Sequence, residues 1–213
     1  MVATSEKQFK RSYGLNEIAL VPSAVTLDME LVDISTTIAG IKMDLPIFAS
    51  AMDSVVSPQT ATTIGKHGGI GVLNLEGVQT RYDNPTDVLK QISSVTKQEY
   101  VSLMQQIYKQ NVKEELITAR IKEIKQHNIP VVVSITPQNA NKYGAIAAAA
   151  GADIIVIQST VVSNKFVTND KSKLLDLKAF CKDMPVPVMI GNTTTYNVSK
   201  DLMQTGIQGL FVG

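Results

Sequence analysis

Small and polar residues follow several short apolar runs of the chain, and their types suit ligand binding. They are Ser50-Ala51-Met52-Asp53, Asn74, Ser134 to Pro137, Gln158-Ser159-Thr160, Gly191-Asn192-Thr193 and Gly213. Asp53 is the only acid in this set. Glycosidase-type acid/base chemistry needs a pair of carboxylates, so the set does not predict that reaction. Hydroxyl and amide groups instead predict hydrogen bonds to a small ligand.

Two members of this set allow more than one interpretation. Met52 either packs in a core or, flanked by Ser50 and Asp53 at a strand end, forms a flat platform for a planar ring. Gly191-Asn192, followed by three threonines, either offers backbone N–H groups to an anion or a ribose, or is an ordinary helix cap. The residues alone leave both questions open.

The histidines and the cysteine do not suggest a metal site or a nucleophile. His67 and His127 each stand between a helical pattern and the next apolar run, and no His/Cys/Asp cluster has the spacing of metal ligands. Cys181 falls in the last turn of the amphipathic stretch LLDLKAFCKDM. We therefore interpret Cys181 as a buried structural thiol.

Six apolar runs are predicted to be strands that position the polar residues. They are residues 46–50, 70–74, 131–135, 153–158, 186–191 and 209–213. Each run is almost continuously apolar, which is typical of parallel strands covered on both faces. Helical patterns separate the runs. One has Ser57-Pro58 as its cap and Gly68-Gly69 at its end, and the longest extends from about Gln98 to His127.

Alternating strands and helices are compatible with a doubly wound open sheet or a TIM (β/α)8 barrel. No Gly-x-Gly-x-x-Gly motif follows a strand, so the pattern favours the barrel. A whole barrel takes about 250 residues. We therefore predict a lead-in with a hairpin over residues 1–45, which plugs the N-terminal end, and a partial barrel with strands 1–6 over residues 46–213.

Composition narrows the class of protein. The chain has 213 residues, 44% of them hydrophobic, which predicts one domain with one core. A net charge of +1 without long charged runs argues against nucleic-acid or membrane partners. The single cysteine fits a reducing compartment, and the amino end lacks a signal-peptide pattern. These features predict a soluble cytoplasmic protein.

Several motifs together carry a family resemblance. LPIFASAMDSVVSP, GGIGVLN and the Gly-Asn of VMIGNTTTYN, in this order, resemble the IMP dehydrogenase/GMP reductase family, and the opening YGLNEIALVPSAVTLDMELVDIS resembles that family's first segment. VLNLEGVQTRYDNP and VIQSTVVS are similar to an actinobacterial and cyanobacterial subgroup related to IMP dehydrogenase. The residues between Asn74 and Val131 are too few for the CBS module of common dehydrogenases.

The resemblance implies a role for each site residue. Ser50, Met52 and Asn192 would bind a purine nucleotide, IMP or GMP, with Met52 against the base. Gln158, Ser159 and Thr160 would line the nicotinamide side of NAD or NADP. The family usually has an acid where Gln158 stands, and an amide binds a ribose hydroxyl without charge. The resemblance also implies a tetrameric or octameric homo-oligomer in the full-length form.

The family's nucleophile is a cysteine on the loop after the sixth strand, which attacks purine C2 so that hydride can pass to or from nicotinamide. That loop, which would also hold a monovalent cation such as K⁺, begins here at Gly213. We therefore interpret the sequence as an N-terminal fragment, inactive alone, of a purine-nucleotide oxidoreductase. The alternative is a non-catalytic half-barrel paralogue that binds a partner chain or a nucleotide.

Overall fold

The computed structural model of the chain describes residue 11 and residues 13–159 and 174–213. By internal contacts the chain divides after Asp33. The described part before this point contains the 3-10 turns Leu15–Glu17 and Met29–Leu31 and many exposed apolar side chains. The hairpin belongs to the unit that begins at Ile34. The domain boundary at residue 45 stays a prediction.

A parallel sheet of six strands forms the centre of the second unit, as far as the chain is described. Its strands are β3 (Phe48–Ala49), β4 (Ile70–Asn74), β5 (Val132–Ile135), β6 (Ile154–Gln158), β7 (Val188–Thr193) and β8 (Gly209–Val212). Each strand pairs with the next one in the chain, so the sheet order is the sequence order. A doubly wound sheet would reverse its order at a switch point. The partial (β/α)8 barrel and its six predicted strands are confirmed.

Helices connect the strands. They are α1 (Pro58–Lys66), α2 (Val78–Arg81), α3 (Pro85–Ser94), α4 (Lys97–Ile107), α5 (Glu114–Lys125), α6 (Ala140–Ala150), α7 (Leu177–Asp183) and α8 (Tyr196–Met203). The predicted cap of α1 is present, because the Ser57 hydroxyl accepts the Thr60 N–H at 3.2 Å and Pro58 opens the helix.

The prediction of one long helix from Gln98 to His127 is wrong, because α4 and α5 are separate helices. Between α4 and α5, hydrogen bonds to α2 replace the backbone hydrogen bonds of a continuous helix. The Lys113 N–H donates to the Thr80 carbonyl at 2.9 Å, and the Arg81 guanidinium donates to the Gln110 carbonyl. Helical periodicity cannot reveal such a break, because it depends on a distant part of the chain.

The two faces of the sheet pack against different partners. Outward side chains such as Leu73, Val133 and Ile155 share a buried cluster with helix residues such as Ile117 and Ile121. Inward side chains form a second cluster, which contains Ile70, Val72, Val132, Ile154, Val156, Met189 and Met43. Every second strand residue thus faces the interior, as expected for strands.

The predicted hairpin is confirmed as β1 (Thr36–Ile38) and β2 (Ile41–Met43), which pair antiparallel. Ala39 and Gly40 form its turn with positive φ angles of 49° and 83°. Met43 is 1% exposed and belongs to the inward cluster with Ile70 and Ile154, the first residues of their strands. The hairpin therefore covers the N-terminal end of the sheet.

The sheet curves enough for side chains of its two outermost strands to meet. The rings of Phe48 on β3 and Phe211 on β8 lie edge to face with centroids 5.7 Å apart. Gly71 lets α1 lie close to β4, because a Cβ atom there would be 2.7 Å from the Ala61 Cα. Within the part of the chain that the structure covers, no helix is long and apolar enough to cross a bilayer.

Candidate functional site

The inward side chains change from apolar to polar at the C-terminal ends of three strands. At the strand starts these positions hold Ile70, Val132 and Ile154. The last inward residues are Asn74 on β4, Ser134 on β5 and Gln158 on β6. Asn74 pairs directly with Ser134, and the Ser134 hydroxyl donates to Gln158 Oε1 at 2.8 Å. These three residues form a polar layer above the apolar interior.

A cavity of about 460 Å³ opens above this polar layer. Its lining residues are Ala51, Asn74, Glu76, Ser134, Thr136, Pro137, Gln138, Gln158, Ser159 and Asn192. Active sites of parallel barrels lie at this C-terminal end of the strands. The lining contains one ionisable group, the Glu76 carboxylate, and no lysine or arginine among the described residues. The described lining therefore offers mainly hydroxyl and amide groups for hydrogen bonds to a ligand.

Three of the predicted site residues meet at this cavity. Gln158 is the last residue of β6, Ser159 follows it, and Asn192 lies near the end of the neighbouring strand β7. The Ser159 N–H donates to the Gly191 carbonyl at 3.0 Å, and the Asn192 N–H donates to the Ser159 carbonyl at 3.2 Å. Ser134 binds the Gln158 carboxamide oxygen, and the carboxamide nitrogen can donate to a ligand.

Ser50 and Met52 flank this cavity in sequence but do not line it, whereas Ala51 between them does. The Met52 N–H donates to the Ser50 carbonyl at 2.8 Å, and the Met52 carbonyl accepts the N–H groups of Val55 and Val56, both at 2.9 Å. Met52 is 52% exposed, so it is not a core residue. Its contact with a purine stays a prediction. Thr160 lies outside the described residues.

Glu76 is a cavity residue that the sequence interpretation missed. Its carboxylate accepts the Thr136 N–H at 2.5 Å, the Thr136 hydroxyl at 3.1 Å and the Asn139 side-chain amide at 2.5 Å. It thereby holds the start of the segment between β5 and α6 against the end of β4. The sequence signal was an acid two residues beyond the strand-end Asn74, outside the positions considered.

Asp53 does not line the cavity. Its Oδ2 atom accepts the Val78 N–H at 2.9 Å and also the Tyr108 hydroxyl. Its Oδ1 atom is buried and has no hydrogen-bond partner among the described residues. Burial, and then the hydrogen bond to Asp53, raise the pKa of Tyr108 well above its ordinary value. Tyr108 is therefore a neutral hydrogen-bond donor at physiological pH.

The two histidines and the cysteine lie away from the residues that line the cavity. His67 and His127 are exposed at the C-terminal ends of α1 and α5, away from the cavity lining. Cys181 is half-buried on α7 against the outward cluster, and burial raises the pKa of its thiol to about 11. A nucleophilic cysteine needs a lowered pKa. In the described ranges, no three His, Cys, Asp or Glu side chains come together as metal ligands do.

The comparisons with known proteins agree with this architecture. The family model for the IMP dehydrogenase / GMP reductase domain matches residues 12–213. A crystal structure of an IMP dehydrogenase/GMP reductase-like protein from Corynebacterium glutamicum superimposes with a TM-score of 0.89 at 29% identity, over 99% of this chain and 56% of that protein.

Relatives in sequence extend the match. Uncharacterized oxidoreductases of Mycolicibacterium smegmatis and Mycobacterium tuberculosis are 31% identical over 96% of this chain and 56% of their own length. An inosine-5'-monophosphate dehydrogenase of Methanocaldococcus jannaschii is 35% identical over 30% of this chain and 13% of its own. The chain thus spans just over half the length of the relatives that match it throughout. It belongs to the IMP dehydrogenase/GMP reductase family.

Proposed function

We propose that the chain forms part of a purine-nucleotide oxidoreductase that transfers hydride between purine C2 and the nicotinamide of NAD or NADP. The observation that carries this proposal is the shared cavity of Gln158, Ser159 and Asn192 at the C-terminal ends of β6 and β7. Family membership supports oxidoreductase chemistry in general. The chain spans 56% of its full-length relatives, so the activity is proposed for the whole protein.

In this proposal the β6 side of the cavity binds the cofactor. Gln158, Ser159 and Thr160 would line the nicotinamide side, with Gln158 at the ribose. The hydroxyls and amides around Gln158 are suited to a sugar, because each can donate or accept a hydrogen bond without a charge that needs a counter-ion. Bound nicotinamide would supply the hydride acceptor or donor. The Gln158 side chain would orient the cofactor through its amide nitrogen.

The other side of the cavity would bind the purine nucleotide, IMP or GMP, through Ser50, Met52 and Asn192. A half-exposed thioether at a strand end can lie against a flat base without first leaving a core. The family resemblance assigns the cysteine nucleophile and a K⁺-type cation to the loop after β8. We therefore propose that the 213 residues alone do not catalyse the reaction.

The test uses protein produced from the complete gene. Consumption of NADPH with GMP would identify a reductase, and formation of NADH with IMP would identify a dehydrogenase. No turnover in either assay would overturn the proposal and favour a non-catalytic paralogue. Gln158→Ala should raise the KM for the nicotinamide cofactor, whereas the matched control Gln204→Ala, at an exposed position after α8, should leave it unchanged.

A cytoplasmic location and a tetrameric or octameric assembly also remain predictions. Size measurement by light scattering on the same protein tests the assembly, and fractionation of the source cells tests the location. A monomer in solution would refute the predicted homo-oligomer.

A further inference from the structure

The Asp53 carboxylate joins three parts of the chain. Asp53 lies in the turn after β3, its Oδ2 accepts the backbone N–H of Val78 at the start of α2, and the same oxygen accepts the Tyr108 hydroxyl at the end of α4. The buried Oδ1 has no partner among the described residues. Asp53 is half-buried and its Oδ1 atom is removed from water, so the carboxylate depends on the two donors to Oδ2.

Tyr108 is itself held in place by α2 and the residues around it. Its backbone N–H donates to the Met104 carbonyl at 3.0 Å, which caps α4. The Arg81 guanidinium lies over its ring at 5.4 Å and donates to the carbonyls of Gln110 and Glu76, the latter at 2.9 Å. A phenol fixed in this way presents its hydroxyl in one position.

Gly77 leaves space for the Asp53 carboxylate on a third side. A Cβ atom at Gly77 would overlap Asp53 Oδ1 and lie 2.6 Å from its Cγ. The backbone of Gly77 is extended, with φ −92°, so the requirement for glycine here comes from this close approach and not from backbone strain. Asp53 therefore has little freedom to move.

Asp53 directly follows Met52 in one hydrogen-bonded turn. The Met52 carbonyl accepts the N–H groups of Val55 and Val56, and Ala51, the residue before Met52, lines the cavity. A shift of the Asp53 backbone can therefore pass to Met52 and Ala51, which belong to the same hydrogen-bonded turn.

We propose that Tyr108, acting through Asp53, is a positioning residue that holds the strand-end turn 50–56 in its ligand-binding conformation. The ligand assignment of this turn, a purine nucleotide, rests on the proposed function. The segment between α2 and α5 thereby has a role at the site, because the Tyr108 hydroxyl at the end of its helix α4 holds the turn that carries Met52.

The first test is independent of activity. Hydrogen exchange is measured on protein from the complete gene as wild type, Tyr108→Phe and Tyr100→Phe. Tyr100 is on the same helix, is 45% exposed and serves as the matched control. Amides of residues 50–56 should exchange about tenfold faster in Tyr108→Phe and unchanged in Tyr100→Phe. Unchanged exchange in Tyr108→Phe would overturn the proposal even if the enzyme is active.

The second test is kinetic. Tyr108→Phe should raise the KM for the purine nucleotide about tenfold and leave kcat and the cofactor KM nearly unchanged, because a misplaced turn weakens binding in the ground and transition states alike. A general loss of kcat would contradict a positioning role. Absence of wild-type turnover would refute the proposed function but not the positioning role of Tyr108, which the exchange measurement tests separately.

A double-mutant cycle distinguishes the positioning role of Tyr108 through Asp53 from a general effect of Tyr108 on folding. If Tyr108 acts through Asp53, adding Tyr108→Phe to Asp53→Ala, which has no acceptor for the Tyr108 hydroxyl, should change exchange of residues 50–56 no further than Asp53→Ala alone. Additive effects of the two substitutions would overturn the proposal. The cycle uses only variants that remain folded by circular dichroism, and Asp53→Leu, which also lacks an acceptor and is similar in size to Asp, replaces Asp53→Ala if the latter does not fold.

Discussion

Glu76→Gln tests whether a single carboxylate holds the end of β4 to the segment between β5 and α6. Glu76 accepts three hydrogen bonds from Thr136 and Asn139. Glutamine keeps the shape of the side chain but has only one oxygen. If that oxygen takes the position that faces the Thr136 N–H, the Asn139 amide can flip and the Thr136 hydroxyl can rotate to accept from the new NH₂ group.

In the reverse orientation, the NH₂ group of the new glutamine would face the Thr136 backbone N–H. Both groups are donors, and the backbone N–H cannot become an acceptor. The first orientation should therefore dominate, and the cost is the loss of charge assistance. Charge-assisted hydrogen bonds are roughly twice as strong as neutral ones, whose net worth is about 1 kcal/mol. Summed over three bonds the difference is about 3 kcal/mol, and because these bonds are only partly buried, solvent reduces the expected loss of unfolding free energy to about 2 kcal/mol.

Thermal unfolding followed by circular dichroism measures this loss. About 2 kcal/mol corresponds to a decrease of Tm by about 4–8 °C for a chain of this size. The matched control is Glu114→Gln, which removes a partner of Lys142 in an exposed ion pair of 3.3 Å and should change stability little. Equal Tm values for the two variants would refute the assignment of Glu76 as a structural anchor of the cavity wall.

Three further predictions follow from other contacts. Ser134→Ala removes the donor to Gln158 Oε1 and should raise the cofactor KM about two- to tenfold in steady-state assays, with the nucleotide KM unchanged; an unchanged cofactor KM would contradict this role. Gly71→Ala places a Cβ atom 2.7 Å from the Ala61 Cα and should cost about 2 kcal/mol or more in urea unfolding, because the atom it meets belongs to the backbone of a packed helix; a stable variant would mean that α1 can move away from β4. Cys181 should react with iodoacetamide at pH 8 about a hundredfold more slowly in the folded than in the unfolded chain, because its pKa is raised to about 11. Rapid alkylation of the native protein would refute the burial of the thiol. Since the pKa of the thiol is higher in the folded than in the unfolded chain, the thiol stabilises the fold below about pH 9, and this contribution should decline as the pH rises towards 11.

Much of the barrel could be predicted from local patterns. Runs such as residues 70–74 and 153–158 are apolar at nearly every position between their ends, which indicates strands covered on both faces. Ser57-Pro58 before α1 predicts a helix start because a hydroxyl caps the first turn. The break at residues 108–113 could not be predicted, because it depends on hydrogen bonds to Thr80 and Arg81 far along the chain.

The residues of the candidate site could also be predicted only in part from local patterns. Gln158, Ser159 and Asn192 could be identified because they directly follow apolar runs. Glu76 could not be chosen over other acids in loops, since its place in the cavity wall depends on donors from Thr136 and Asn139, which come 60 and 63 residues later in the chain. Asn192 also lies where the pairing of β7 with β8 is irregular, so strict alternation does not determine which way it faces.

The sequence by itself determined the order and type of the elements, the family and most residues at the strand ends, because these depend on short-range periodicity and on motifs. Only the tertiary structure decided which side chains share the cavity, that Glu76 is the one ionisable group among its described lining residues, and that Asp53 binds Val78 and Tyr108 outside the lining. The physical reason is that hydrogen-bond partners are set by the packing of distant segments. A sequence pattern records what each residue can donate or accept, and the fold decides which groups it meets.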